Sequence, residues 1–235
     1  MALPLYLAVT GAEFSSMAEI PFPCAYMACH FSPYTNGLTN LPENLPDNGI
    51  LILNDRMRCS GHSADLVVQQ LQETLERFHC ESILLDFQRS PDPESKAMVK
   101  TIVQSLSCPV AVTEAFAADF GCPVFLAPAP LHIPLAEYLE PWKGREIWLE
   151  AALCQEEIVV TPNGAQFSAH FPPDGLIGGF YDDKLCCCYR TKIEENTIRF
   201  ILFDTKNSLQ QKLSHAHSQG VRRSIGLWQE LGNMA

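Results

Sequence analysis

The chain has 235 residues, of which 47% are hydrophobic and only 18% charged. That composition excludes a disordered chain and leaves apolar material for one large core. The net charge of −11 argues against nucleic-acid and anionic-membrane partners, which need a positive footprint. No apolar run reaches the roughly 18–20 residues of a membrane span. The first basic side chain is Arg56, so the apolar N-terminal stretch lacks the positive region of an export signal and reads as a buried strand. Ten scattered cysteines without such a signal are expected to be reduced thiols in a cytoplasm.

In chain order, eight short apolar runs end in a polar or charged residue: 3–9, 25–30, 49–54, 82–87, 109–114, 123–127, 146–151 and 224–229. Unbroken runs such as Ile50-Leu51-Ile52-Leu53 and Ile83-Leu84-Leu85 suit strands buried on both faces, as in parallel sheets. Between them, 63–79 is amphipathic, with Leu66, Val67, Leu71, Leu75 and Phe78 near a 3.6-residue period and Ser63 as its cap. Helices are also expected at 94–106 and 208–218, loops at the Pro-rich stretches 21–23 and 42–46, and one short turn at 116–121. Asn163-Gly164 predicts a β-hairpin over 158–169, and a second follows over 185–203. Alternating strands and helices predict a trimmed (β/α)8 barrel over 1–235, with a β insertion at about 155–204 before the last strand. The alternative is an open α/β sheet. It loses support because no glycine-rich phosphate loop follows any strand.

In such a barrel the strands' C-terminal ends carry the functional groups. Those ends present Asn54 and Asp55, Asp86 with Gln88, Glu114, Glu150, and Gln229 with Glu230. Tyr6, Phe87, Trp148 and Trp228 lie nearby. Carboxylates and amides bind sugar hydroxyls, aromatic faces stack on sugar rings, and paired carboxylates can cleave glycosidic bonds. The set predicts a cleft for a glycan or other small polar ligand. The bland reading of each acid is a solvated or salt-bridged strand end, for example with Arg56, Arg89 or Arg145. Neither a metal nor a cofactor is expected, because no CxxC pair occurs and His215 and His217 diverge on their helix. Cys59 and His62 are close in sequence, which does not make them a dyad. His30 and His132 read as satisfied loop histidines.

The run from Cys80 to Gln88 after the first amphipathic helix resembles the fourth strand of glycoside hydrolase family 18, which holds chitinases and chitinase-like spore-cortex hydrolases. That family's strand ends Asp-x-Asp-x-Glu. A second match joins Ser208 and Lys212 in the last helix to Trp228, the family's sugar-floor Trp. Together they cover about a third of the chain. The resemblance implies a barrel whose catalytic Glu is replaced by Gln88 and whose first Asp falls on Ile83 or Leu84. Asp86 keeps the position that steadies the substrate's N-acetyl group. An amide is no proton donor of the required acidity, so the resemblance implies glycan binding without ordinary family hydrolysis. The alternatives are an active glycosidase with a relocated acid, Glu114 or Glu150, and a barrel whose end contacts another protein. Candidate catalytic residues are therefore Asp86, Gln88, Glu114 and Glu150. Candidate ligand-binding residues are Tyr6, Asn54, Trp148, Trp228 and Glu230.

Overall fold

The computed structural model describes residues 4–16, 23–170 and 178–232. The expected loop at 21–23 falls, but for Pro23, outside the described residues. In chain order the elements are β1 (Leu5–Val9), α1 (Gly11–Ser16), β2 (Cys24–Phe31), β3 (Leu38–Thr39), β4 (Ile50–Asn54), α2 (Ala64–Arg77) and β5 (Ser82–Asp86). Next come α3 (Pro93–Ser105), β6 (Val110–Thr113), α4 (Glu114–Ala117), β7 (Val124–Leu126), α5 (Leu135–Leu139) and β8 (Ile147–Ala151). The chain continues with β9 (Gln155–Thr161), β10 (Gly164–His170), β11 (Phe180–Asp182), β12 (Cys187–Glu194) and β13 (Thr197–Phe203). It ends with α6 (Lys206–Ser218), β14 (Val221–Leu227) and α7 (Trp228–Leu231).

The strands β1, β2, β4, β5, β6, β7, β8 and β14 pair in parallel, and β1 pairs with both β2 and β14, so the sheet closes into an eight-stranded barrel. The two-residue β3 adds antiparallel to β2. Between β8 and α6, strands β9 to β13 form a separate five-stranded antiparallel sheet in the order β10-β9-β13-β12-β11. The architecture is the (β/α)8 barrel with a β insertion, and the open sheet is excluded by the β1–β2 pairing.

Alternation along each strand explains the unbroken apolar runs. Tyr6, Ala8, Ala25, Ile50, Ile52, Leu84, Ala111, Phe125, Trp148 and Ile225 fill the barrel interior. Their neighbours Leu7, Leu51, Leu53, Ile83, Leu85 and Val112 face outward, in one core with Val67, Leu71, Met98, Ile102, Leu209 and Leu213 of the helices. Both faces are dry, so both must be apolar. Ala8, Ala25 and Ala111 leave the interior volume that Trp148 and Phe125 occupy.

Helix starts follow local chemistry. The Ser63 side chain accepts from the Leu66 amide and opens α2. Asp92 and Ser95 form a reciprocal capping box at α3, with Pro93 in its first turn. Thr205 and Ser208 do the same at α6. Such caps are worth about 1 kcal/mol each.

The last strand departs from expectation. It runs over Val221–Leu227, not 224–229, so Trp228, Gln229 and Glu230 follow the strand instead of ending it. The cause is Arg223, a charged residue inside the strand. Its guanidinium pairs with Glu81 at 2.9 Å and Glu146 at 3.0 Å and lies 4.9 Å over the Trp148 ring. Tyr6 donates to Glu81, and the Trp148 indole donates to Glu146 at 2.8 Å. This polar cluster closes the N-terminal end of the barrel. Burial, reinforced by Glu81, pushes the Tyr6 hydroxyl up to about 12.

All ten cysteines are free thiols. Burial pushes Cys24, Cys29, Cys154 and Cys187 up to about 12, so these behave as small apolar side chains. No helix among the described residues is long and apolar enough to cross a membrane.

Candidate functional site

Inward positions two residues beyond the apolar layer reach the C-terminal mouth. Ile50 and Ile52 lead to Asn54, Leu84 leads to Asp86, and Trp148 leads to Glu150. Asn54 and Asp86 are register partners across β4 and β5. With Thr10, Met27, His30, Asn40, Arg56, Gln88, Phe125, Gly226 and Leu227 they line a cleft of about 460 Å³.

The β4–β5 side of the cleft is held rigidly. Asn54 donates to the carbonyls of Met27 and Cys29, both at 3.0 Å, and its own oxygen accepts from the Arg56 amide at 3.1 Å. Asp55 accepts from the Gln88 amide N–H at 3.0 Å and the Arg89 N–H at 2.9 Å, tying the two loops together. The Gln88 side-chain amide donates to the Asp86 carboxylate. Burial raises Asp86 above the usual carboxylate range. The Gln88 bond opposes that rise and the Asp55 charge adds to it.

Glu150 stands apart. Burial, then the charges of Asp86 and Glu230, push its carboxyl up to about 7. Among the described residues it has neither a hydrogen bond nor an ion pair, so nothing compensates its charged form. Nearby, Tyr138 donates to the Ala127 carbonyl at 3.0 Å, and burial together with Glu114 and Glu150 pushes its hydroxyl up to about 12.

Of the sequence candidates, the fold brings Asn54, Asp86, Gln88 and Glu150 into one cleft. It places the others elsewhere. Tyr6 and Trp148 point into the barrel one layer too low, in the N-terminal cluster, and Trp148 is 0% exposed. Glu114 opens the short α4, is exposed and does not line the cleft. Trp228 is half-buried against the outer core with Gly232 close beneath its ring, and it too is absent from the cleft lining. Glu230 accepts from the Leu153 amide and reaches the cleft only through its charge on Glu150.

Sequence reasoning missed His30, Asn40 and Arg56. His30 donates through Nδ1 to the Phe31 carbonyl at 2.8 Å, leaving Nε2 to accept from Asn40 at 3.1 Å. The usable signal was its place at the end of a strand run. His62 bonds to backbone oxygens of Ser32 and Cys59, and not to a thiol. His132 pairs with Glu156 at 2.6 Å, linking the loop after β7 to the inserted sheet. No group of three or more metal-ligating side chains occurs among the described residues.

The chain is a closed (β/α)8 barrel with a cleft at its C-terminal mouth and an antiparallel insert before the last strand. Solved structures bear out the fold. A family 18 chitinase variant from Cycas revoluta in complex with (GlcNAc)4 superposes with a TM-score of 0.59 at 11% identity, covering 96% of this chain and 94% of that one. The spore cortex-lytic enzyme SleL of Bacillus cereus gives 0.54 at 13% identity, covering 95% and 70%. The class V chitinase of Nicotiana tobaccum gives 0.57 at 10%, covering 96% and 93%. No family model and no curated protein sequence matches the chain.

Proposed function

We propose that the mouth cleft binds a glycan, or a ligand equally rich in hydroxyl and amide groups, and does not carry out ordinary family 18 hydrolysis. The observation that carries this reading is the Gln88–Asp86 contact at the end of the fourth barrel strand. A carboxamide can accept and donate hydrogen bonds to a sugar. It cannot protonate a glycosidic oxygen as a carboxylic acid does. Asp86 and Asn54 supply further acceptors and donors, and Phe125 and Leu227 supply apolar surface. Glu-to-Gln variants of two plant chitinases with this fold are found in complex with N-acetylglucosamine tetramers, so an amide substitution is compatible with glycan binding in such barrels.

The test is calorimetric titration with chitin and peptidoglycan oligosaccharides, together with release of reducing ends by the wild-type protein and Gln88→Glu. Binding by both and cleavage only by Gln88→Glu are expected. Cleavage by the wild type would overturn the non-hydrolytic reading. Binding of none would overturn the glycan reading.

One observation favours a second reading, an active glycosidase with a relocated acid. Glu150 keeps its proton to about pH 7 in the same cleft as Asp86, which is what a general acid needs at neutrality. Glu114, outside the cleft, drops out of this reading. If the wild type cleaves, Glu150→Gln abolishes that activity here, and Glu114→Gln leaves it intact.

A further inference from the structure

The inserted sheet ends in β11 on one side and β10 on the other. β11 is three residues long and ends on Asp182, so that edge is short and charged. β10 is different. It runs for seven residues, Gly164–His170, pairs with β9 without a register shift, and has no strand on its outer side among the described residues. It contains no proline, aspartate, glutamate, lysine or arginine. Those residues are how proteins blunt a sheet edge, and β10 lacks them all. Alternate residues along it turn their N–H and C=O groups away from β9. Phe167, at its centre, is 61% exposed although its ring lies 5.0 Å from that of His132.

The sheet face around Phe167 is apolar too. Phe167, Ile158 and Phe200 are register partners across β10, β9 and β13, and Ala165, Val160 and Ile198 form the next row. Ile193 of β12 continues that second row and is 77% exposed. The barrel covers part of this face, where Leu202 and Cys187 cluster with Leu131. The opposite face is polar: Arg199 pairs with Glu157, and Lys192 with Glu194. The sequence of β10 is also nearly symmetric about its centre. Gln166 and Ser168 flank Phe167 directly, and Ala165 and Ala169 flank it two residues out.

We infer that β10 is the docking edge for a second copy of this chain, paired antiparallel about a two-fold axis through Phe167. That pairing sets the two Phe167 rings against each other, Ala165 opposite Ala169, and Gln166 opposite Ser168. Each residue meets one of its own size and polarity, which is the self-complementarity a two-fold contact requires. The two inserted sheets become one continuous sheet, joined by about six backbone hydrogen bonds. Charge singles out the same place. Two chains of net charge −11 repel each other, and along β10 they approach without opposing like charges. The contact is small beside the roughly 1,600 Å² of a standard interface, so the pair forms and dissociates over micromolar concentrations. The mouth cleft has no β10 residue in its lining, so the inference does not rest on the glycan reading.

The experiment is analytical ultracentrifugation of the whole chain from about 1 μM to about 1 mM. It compares wild type, Phe167→Lys, Phe167→Glu, and an equimolar mixture of the two variants. Wild type is expected to pass from monomer to dimer, and hydrogen exchange over 165–169 to slow as the dimer fills. Each variant alone sets two like charges across the axis and should weaken association at least about tenfold. The mixture sets opposite charges there and restores the dimer. Misfolding, or a mere loss of apolar surface, gives no such recovery. Phe167 is exposed, so both variants should melt as wild type does. If they do not, Gln166→Lys/Ser168→Lys and Gln166→Glu/Ser168→Glu repeat the test on the other face of β10. A wild type that stays monomeric throughout overturns the inference and leaves this edge to a different chain. A dimer undiminished in Phe167→Lys, or a mixture without recovery, also overturns it. None of these results touches the glycan reading, which the oligosaccharide titration tests separately.

Discussion

Replacing Glu150 by Gln tests whether the cleft holds a protonated carboxyl. In the folded chain this group keeps its proton to about pH 7, against a reference of 4.5 for a free carboxyl. Between those values the folded state binds more protons than the unfolded one, so stability falls as pH rises through that window. At about 1.36 kcal/mol per pH unit, the full gap corresponds to about 3 kcal/mol, lost by the time the pH passes 7. Water in the open mouth screens part of it, which brings the expected effect to about 1–3 kcal/mol. For a chain of this size that is several degrees of melting temperature, at about 2–4 °C per kcal/mol. The assay is urea unfolding of wild type and Glu150→Gln at pH 5 and pH 8.5. The two proteins should be nearly equal at the lower pH, and the variant should be more stable at the higher. Asp86, Glu230 and Asp204 are also raised and are present in both proteins, so the difference between the curves reports the Glu150 charge together with its coupling to Asp86 and Glu230. Parallel curves across the range would refute the argument that burial and the charges of Asp86 and Glu230 hold the proton there.

Two further outcomes concern the frame around the cleft. Lys212 and Asp204 form a buried ion pair at 2.7 Å, with side chains 7% and 0% exposed, so Lys212→Met strands a buried carboxylate and should cost about 3–5 kcal/mol by denaturant unfolding; adding Asp204→Asn should recover part of that loss. At the mouth, Gly226 leaves no room for a side chain: a Cβ would stand 2.6 Å from the Ala151 carbonyl and collide with Leu231. Gly226→Ala should therefore destabilise by about 1–3 kcal/mol and weaken ligand binding, and a variant that melts and binds as wild type would show that the β8–β14 contact is not tight.

The positions of Asn54, Asp86 and Glu150 were legible because a polar residue ending an apolar strand run is a local pattern, and barrels expose those ends. Tyr6 and Trp148 look the same in sequence. Their side chains also point inward, but period-two alternation gives direction and not height along the barrel axis, and both sit in the lowest layer. Trp228 was misplaced because β14 begins earlier than its apolar residues indicate. The expected strand starts only at 224, yet Arg223 is held inside the barrel by Glu81, about 140 residues away in sequence. His30, Asn40 and Arg56 join the cleft through loops and pairings that no local pattern encodes.

The amino-acid sequence by itself determined the main elements and their order, eight strands buried on both faces, three long helices and two hairpins before the last strand, but not α1, β3, α5 or β11. These rest on the spacing of apolar residues and on local signals such as the Ser63 cap and the Asn163-Gly164 turn, which act over a few residues. Tertiary structure decided the rest. The β1–β2 pairing closes the barrel, and closure sets which inward residues share a layer. Burial at the mouth of the closed barrel, with Asp86 and Glu230 as neighbours, is what raises the Glu150 carboxyl. Such effects depend on groups far apart in the chain and arise only once the chain has folded.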